Sequence, residues 1–116
     1  QTYAAMATSV KNYWTTIASF GHIVPTCNFG YDPSPLNQLP PSFWTTNNVS
    51  VTEPTPTELA AHLQDGSNYV DANPTICDAF AVTIYAWSEC AEGGVAMMPT
   101  IGDPTGNKGR NLLLVN

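Results

Sequence analysis

What this chain lacks most is charge. Charged side chains make up 10% of its 116 residues, against roughly a quarter in an average soluble domain. Lys11, Lys108 and Arg110 are its only cations, and nine carboxylates leave a formal net charge of −6. Phosphate contacts need several Lys or Arg, so nucleic acid is a poor partner and anionic membrane surfaces are equally disfavoured. No apolar run approaches the roughly 18 residues of a membrane-spanning helix, so no transmembrane segment is expected. There is no C-x-x-C, and His22 and His62 stand forty residues apart, which excludes the usual zinc spacings. No G-x-S-x-G occurs, and Ser9, Ser19 and Ser34 have no neighbouring base. The stretch Gly102 to Gly109 has phosphate-loop glycines at the wrong spacing, no hydroxyl after Lys108 and an aspartate at position 103, so it reads as a hairpin turn. No cofactor and no metal are expected.

What is present fits one folded domain spanning 1–116. Apolar residues reach 43%, enough for a core that folds without a metal. Polar surface must then come from Thr, Ser, Asn and Gln, a composition common on secreted and cell-surface proteins. An extracellular or cell-surface location is expected, and a chain that begins with Gln reads as processed or truncated. Cys27, Cys77 and Cys90 make an odd count, which in an oxidising compartment gives one disulfide and one buried thiol. A Cys77–Cys90 bond would bracket the best strand and stabilise by about 3 kcal/mol through loop closure. Cys27 with either of the others, or three reduced buried thiols, are the alternatives.

The element pattern is helix first. Tyr3, Met6, Val10, Tyr13, Ile17 and Phe20 recur at spacings of three and four, with Trp14 beside them, so one apolar stripe is predicted along a helix about 27 Å long. Thr2 caps its start and Gly21 suits its end. Residues 21–56 follow as a Pro-rich loop, pinned by Phe29, Tyr31, Phe43 and Trp44, and a loop this long usually has work in binding or subunit contact. Asn48-Val49-Ser50 is a glycosylation sequon, relevant in a eukaryotic source. Thr55-Pro56-Thr57-Glu58 is a capping box with proline at the first helical position, and Gly66 is expected to stop that short helix, with Leu59 and Leu63 facing inward. Phe80, Val82, Ile84 and Ala86 alternate with Ala81, Thr83, Tyr85 and Trp87, which predicts a strand. Val95–Met98 and Leu112–Val115 are two more candidate strands, and Asn48–Thr52 a candidate edge strand. The expected fold is α+β: a long N-terminal helix on a small antiparallel sheet, with an ordered loop and a short second helix.

Candidate chemistry is sparse. His22 follows the helix-ending glycine, where a cation favours the helix C-terminus, so a capping or surface role is preferred. Glu58 lies four residues before His62, one face of a helix, and the pair has the makings of a general base with an orienting carboxylate. Asp65, Ser67, Asn68 and Asp71 offer oxygens to calcium but lack EF-hand spacing, so a plain loop is preferred. An exposed row of Trp14, Trp44 and Trp87 would stack on sugar rings, although three tryptophans in a small domain are more often core.

The helix running into SVKNYWTTIASFGHIVP resembles the second half of the spine helix of type IV pilins and type II secretion pseudopilins. The segment DAFAVTIYAWSEC is similar to the sheet and disulfide region of some type IVb pilins. The resemblance is one of layout and covers most of the chain, whereas the family's apolar N-terminal half has no counterpart in it. It implies a filament or pseudopilus subunit whose Met6–Phe20 stripe packs on the sheet and whose Cys27–Trp44 loop meets neighbouring subunits. The reading adopted is therefore a non-enzymatic extracellular domain for structure or interaction, associating with itself or another protein, because few charges need desolvation. The alternatives are a secreted glycan-recognition module using Trp44, and a small secreted hydrolase using His62 or His22 with Glu58 or Asp65.

Overall fold

The structure is a computed structural model that describes residues 1–38, 40–43, 45–46 and 49–85. Among them, helix α1 (Tyr3–Ala18), strand β1 (Thr26–Asn28), helix α2 (Ser34–Gln38), helix α3 (Pro56–Ala72) and strand β2 (Thr83–Tyr85) follow in chain order. The coarse expectation of helices combined with a small sheet holds. The expected strand sense does not.

Helix α1 starts where the cap predicts: the Thr2 hydroxyl accepts from the Ala5 backbone N–H at 3.2 Å. It ends at Ala18, with Ser19 donating backbone N–H and hydroxyl to the Thr16 carbonyl. Gly21, at φ 152°, therefore lies beyond the cap. The buried face is Tyr3, Met6 and Trp14, with Ala7 and Val10 packed beside them. Tyr3 and Trp14 are eleven residues apart, close to three turns of helix, so they fall on one line. Tyr13 is about 100° around from Trp14 and stays 61% exposed, and Phe20, past the helix end, is 86% exposed. The predicted single stripe is in fact two, one buried and one open to solvent.

Strands β1 and β2 pair in parallel, Thr26 with Thr83, Cys27 with Ile84 and Asn28 with Tyr85. This corrects the antiparallel meander. Strand β1 falls inside the segment read as loop, and three residues are too short to show alternation. Helix α3 lies between the two strands in sequence, and such a crossover returns the chain in the same direction. The two threonine hydroxyls meet across the pair at 2.8 Å. Val82 and Ile84 pack on the core while Ala81, Thr83 and Tyr85 are exposed, the phase the alternation predicts. Phe80 departs from it. At φ 48° its backbone N–H donates to the Cys77 carbonyl, and the ring is left 72% exposed. Ala86, Trp87 and the candidate strands 95–98 and 112–115 lie outside the described residues.

The long connection is more ordered than a loop. It contains β1 and the five-residue α2. The candidate edge strand at Asn48–Thr52 is not a strand over 49–52: Val51 N–H donates to the Tyr31 carbonyl and Thr52 N–H to the Gln1 carbonyl, both at 2.8 Å. Asn48, the sequon residue, is outside the described residues.

The capping box of α3 is formed. Glu58 N–H donates to the Thr55 hydroxyl at 3.2 Å, and Thr55 N–H donates to Glu58 Oε2 at 2.8 Å. The helix does not stop at Gly66 but runs six residues further, to Ala72, where Asn73 caps it. Gly66 is buried because neighbours approach it: a Cβ there would lie 3.0 Å from both Cys27 Sγ and Val82 Cγ1. Helix α3 thus sits on β1 and on the entry to β2. Thr55→Ala is expected to lower stability by about 1 kcal/mol, or about 4 °C in Tm for a domain of this size, read by thermal unfolding. Backbone and hydroxyl bonds from Thr55 hold the Glu58 carboxyl below its ordinary range. That part of the stability is present above the ordinary carboxyl pKa and is lost in acid below it. The Thr55→Ala deficit should shrink there.

Candidate functional site

The sheet edge facing α1 is where the conspicuous side chains converge. Alternate residues of a strand direct their carbonyls to one edge, and the Thr26 and Asn28 carbonyls accept from Trp14 Nε1 and the Tyr3 hydroxyl, both at 3.0 Å. Two aromatic donors from one helix thus occupy the place of a third strand. Between them, from α3, stands His62. Its ring stacks on Trp14, with centroids 5.7 Å apart and planes 6° from parallel, and meets Tyr3 edge-on at 6.1 Å. Trp14 also meets Tyr69 edge-on at 5.5 Å.

His62 is 1% exposed, and neither ring nitrogen has a hydrogen-bond partner among the described residues. Burial holds its pKa below the ordinary imidazole value, Lys11 adds to that, and Asp65 opposes it. An imidazolium here would gain about 2 kcal/mol over the Trp14 face, but losing its water costs several. The neutral ring wins. Burial likewise raises the Tyr3 hydroxyl, with Cys27 and Glu58 contributing. Cys27 Sγ donates to the His62 carbonyl at 3.4 Å, and burial pushes this thiol up to about 12, so it is unreactive at neutral pH. Above the aromatic group, Lys11 Nζ pairs with Asp65 Oδ2 at 2.9 Å, both side chains part-exposed. The ion pair borders a hollow of about 220 Å³ that Tyr3, Glu58 and His62 also line.

The expected Glu58–His62 pair is not formed, because Glu58 Oε2 is held by the Thr55 N–H and hydroxyl, each at 2.8 Å. Both His62 ring nitrogens are buried and have no hydrogen-bond partner, carboxylate or other, among the described residues. His22 does not cap α1; its Nδ1 lies 2.9 Å from Asp78 Oδ2, beyond α3, with both side chains exposed. Asp65, Ser67, Asn68 and Asp71 lie on the helix α3 rather than on a loop, spread around its axis. Asn68 is engaged by the Gln64 amide at 3.0 Å. No group of three or more His, Cys, Asp or Glu converges among the described residues. Nor, among them, is any helix long and apolar enough to cross a membrane.

The remaining candidates divide by burial. Phe29 is core, and Tyr31 packs against that core while staying half-buried. Phe43 is exposed. Trp14 is buried and cannot serve a glycan platform, while Trp44 and Trp87 fall outside the described residues. Cys27 and Cys77 are both buried free thiols; Cys90, the expected partner of Cys77, lies outside the described residues. Burial and Asp78 raise the Cys77 thiol.

One surface was not anticipated. Met6, Val10, Tyr13, Trp14 and Ile17 of α1, with Thr26 and Asn28 of β1, line an open and largely apolar groove of about 400 Å³. Its signal in the sequence is the surplus of apolar positions on α1, more than one buried face can take. No family model matches this chain, and no curated protein or solved structure matches it either.

Proposed function

We propose that this chain is an extracellular, non-enzymatic structural domain that associates with further copies of itself through the open flank of α1. The observation that supports this is the apolar groove beside exposed Tyr13 and Phe20. Its charge setting favours a like partner. Helix α1 carries no carboxylate of its own, so it brings no acid from its own residues to such a contact. Lys11, the one cation on α1, is already paired with Asp65. Burying an uncharged, aromatic-rich face carries little desolvation cost, and aromatics are enriched at such contacts. A filament subunit of the pilin kind is the finer form of this reading. It rests on the layout of an N-terminal helix lying on a sheet, with the α1 flank rather than the Phe29–Tyr31 part of the loop as the contact.

Sedimentation of the protein at rising concentration tests it. Self-association is expected for the wild type, and Tyr13→Glu should weaken it at least about tenfold, equivalent to 1.4 kcal/mol, with unchanged circular dichroism. A wild type that stays monomeric up to about 1 mM, or a variant that associates equally well, would sink the reading.

A further inference from the structure

We propose that His62 is an acid-operated latch: when its imidazole gains a proton, the Tyr3–His62–Trp14 stack opens and α1 loosens from α3 and β1. The geometry leaves the proton nowhere to be accommodated. The ring is almost fully buried, both nitrogens lack partners among the described residues, and two aromatic rings close on it from α1. A neutral ring leaves one N–H without an acceptor, whereas the protonated ring leaves two and adds a charge. Among the described residues, the groups that face it from each packed element are few. Helix α1 presents Tyr3 and Lys11, β1 presents the neutral Cys27 thiol, and α3 itself carries Glu58 and Asp65. Glu58 is committed to Thr55, and Asp65 is committed to Lys11. Neither carboxylate reaches the ring without breaking an existing bond.

The consequence reaches the sheet. Tyr3 and Trp14 are the donors to the Asn28 and Thr26 carbonyls. Withdrawing them uncovers the outer edge of β1, a strand edge open to pairing, and joins the buried face of α1 to its open groove. Imidazole is the side chain whose charge changes in the mildly acidic range, and a buried neutral histidine loses stability as pH falls below its unfolded value. The latch does not depend on self-association.

The test is ¹H–¹⁵N NMR of the whole chain carrying His22→Asn, titrated from about pH 7.5 to about pH 5. The expected result is loss of the hydrogen-bonded Trp14 indole N–H signal, with the same midpoint as the His62 ring carbons, while the Cys27 and Thr83 amides of the β1–β2 pair persist. In His62→Phe, which keeps a flat ring on Trp14 but cannot be protonated, the indole signal should hold across the range. An indole signal that stays put in the parent, or moves equally in His62→Phe, overturns the latch. So does a midpoint different from that of the His62 ring, a measurement needing no variant at that position. Simultaneous loss of the β1–β2 amides also overturns it, because that is unfolding of the whole domain.

Discussion

Trp14→Ala is expected to lower stability by about 3–5 kcal/mol, or about 12–20 °C in Tm for a chain of this length. Trp14 is 2% exposed and serves three elements at once. It holds α1 to β1 through the Thr26 carbonyl, to α3 through the His62 stack, and to the second half of α3 through Tyr69. Truncation leaves a cavity, a part-buried carbonyl without its donor and an imidazole without its stacking partner. Loss of transfer energy and cavity cost therefore add to a polar group left unpaired. Trp14→Phe keeps one ring, loses the donor and leaves a smaller void, so a loss of about 2–3 kcal/mol is expected, less than for alanine. Urea unfolding followed by circular dichroism measures both. A Trp14→Ala loss under about 1 kcal/mol would mean that α1 is not seated on this ring.

Gly66→Val should destabilise by roughly 3 kcal/mol, at the top of the range for overpacking. A methyl at this position already lies 3.0 Å from Cys27 Sγ and Val82 Cγ1, and valine adds two more carbons. Removing a mid-helix glycine returns at most about 0.5 kcal/mol of helix propensity, too little to offset the clash. Because the neighbours belong to β1 and to the entry of β2, relief requires α3 to move off the sheet. Denaturant midpoints measure the loss. Gly66→Ala should cost less in a Cys27→Ala background than alone, since that background removes one of the two close atoms. Wild-type stability in Gly66→Val would place α3 farther from the strands.

What could be read from the residues was local. The Thr2 cap, the Thr55–Glu58 capping box with Pro56, and the in–out phase of Val82 and Ile84 all appear as expected, because each depends on backbone geometry within a few positions. The apolar periodicity of α1 was legible for the same reason, but as one stripe through Tyr13 and Phe20 with Trp14 beside it, whereas the buried line is Tyr3, Met6 and Trp14. The candidate site was legible only in its parts. His62 was singled out, but with Glu58 as its partner. The nearer Thr55 backbone takes that carboxylate, and the imidazole is pressed between two rings carried by a helix more than forty residues earlier.

Glycine illustrates where the boundary falls. Gly66 reads as a helix stop, and the same absence of a Cβ serves equally for close approach. Only the positions of Cys27 and Val82 decide between the two. Strand sense is similar: β1 is too short to announce itself, and its parallel partner lies 57 residues away, across α3. By itself the sequence determined where helices begin, which residues alternate and how little charge the surface carries, since those follow from neighbours along the chain. Tertiary structure alone decided that β1 and β2 run parallel, that Tyr3 and Trp14 close the edge of β1, that the buried His62 ring nitrogens have no partner among the described residues and that one flank of α1 stays open. Each of those depends on which distant surfaces meet, and that is set by packing among elements rather than by any local preference.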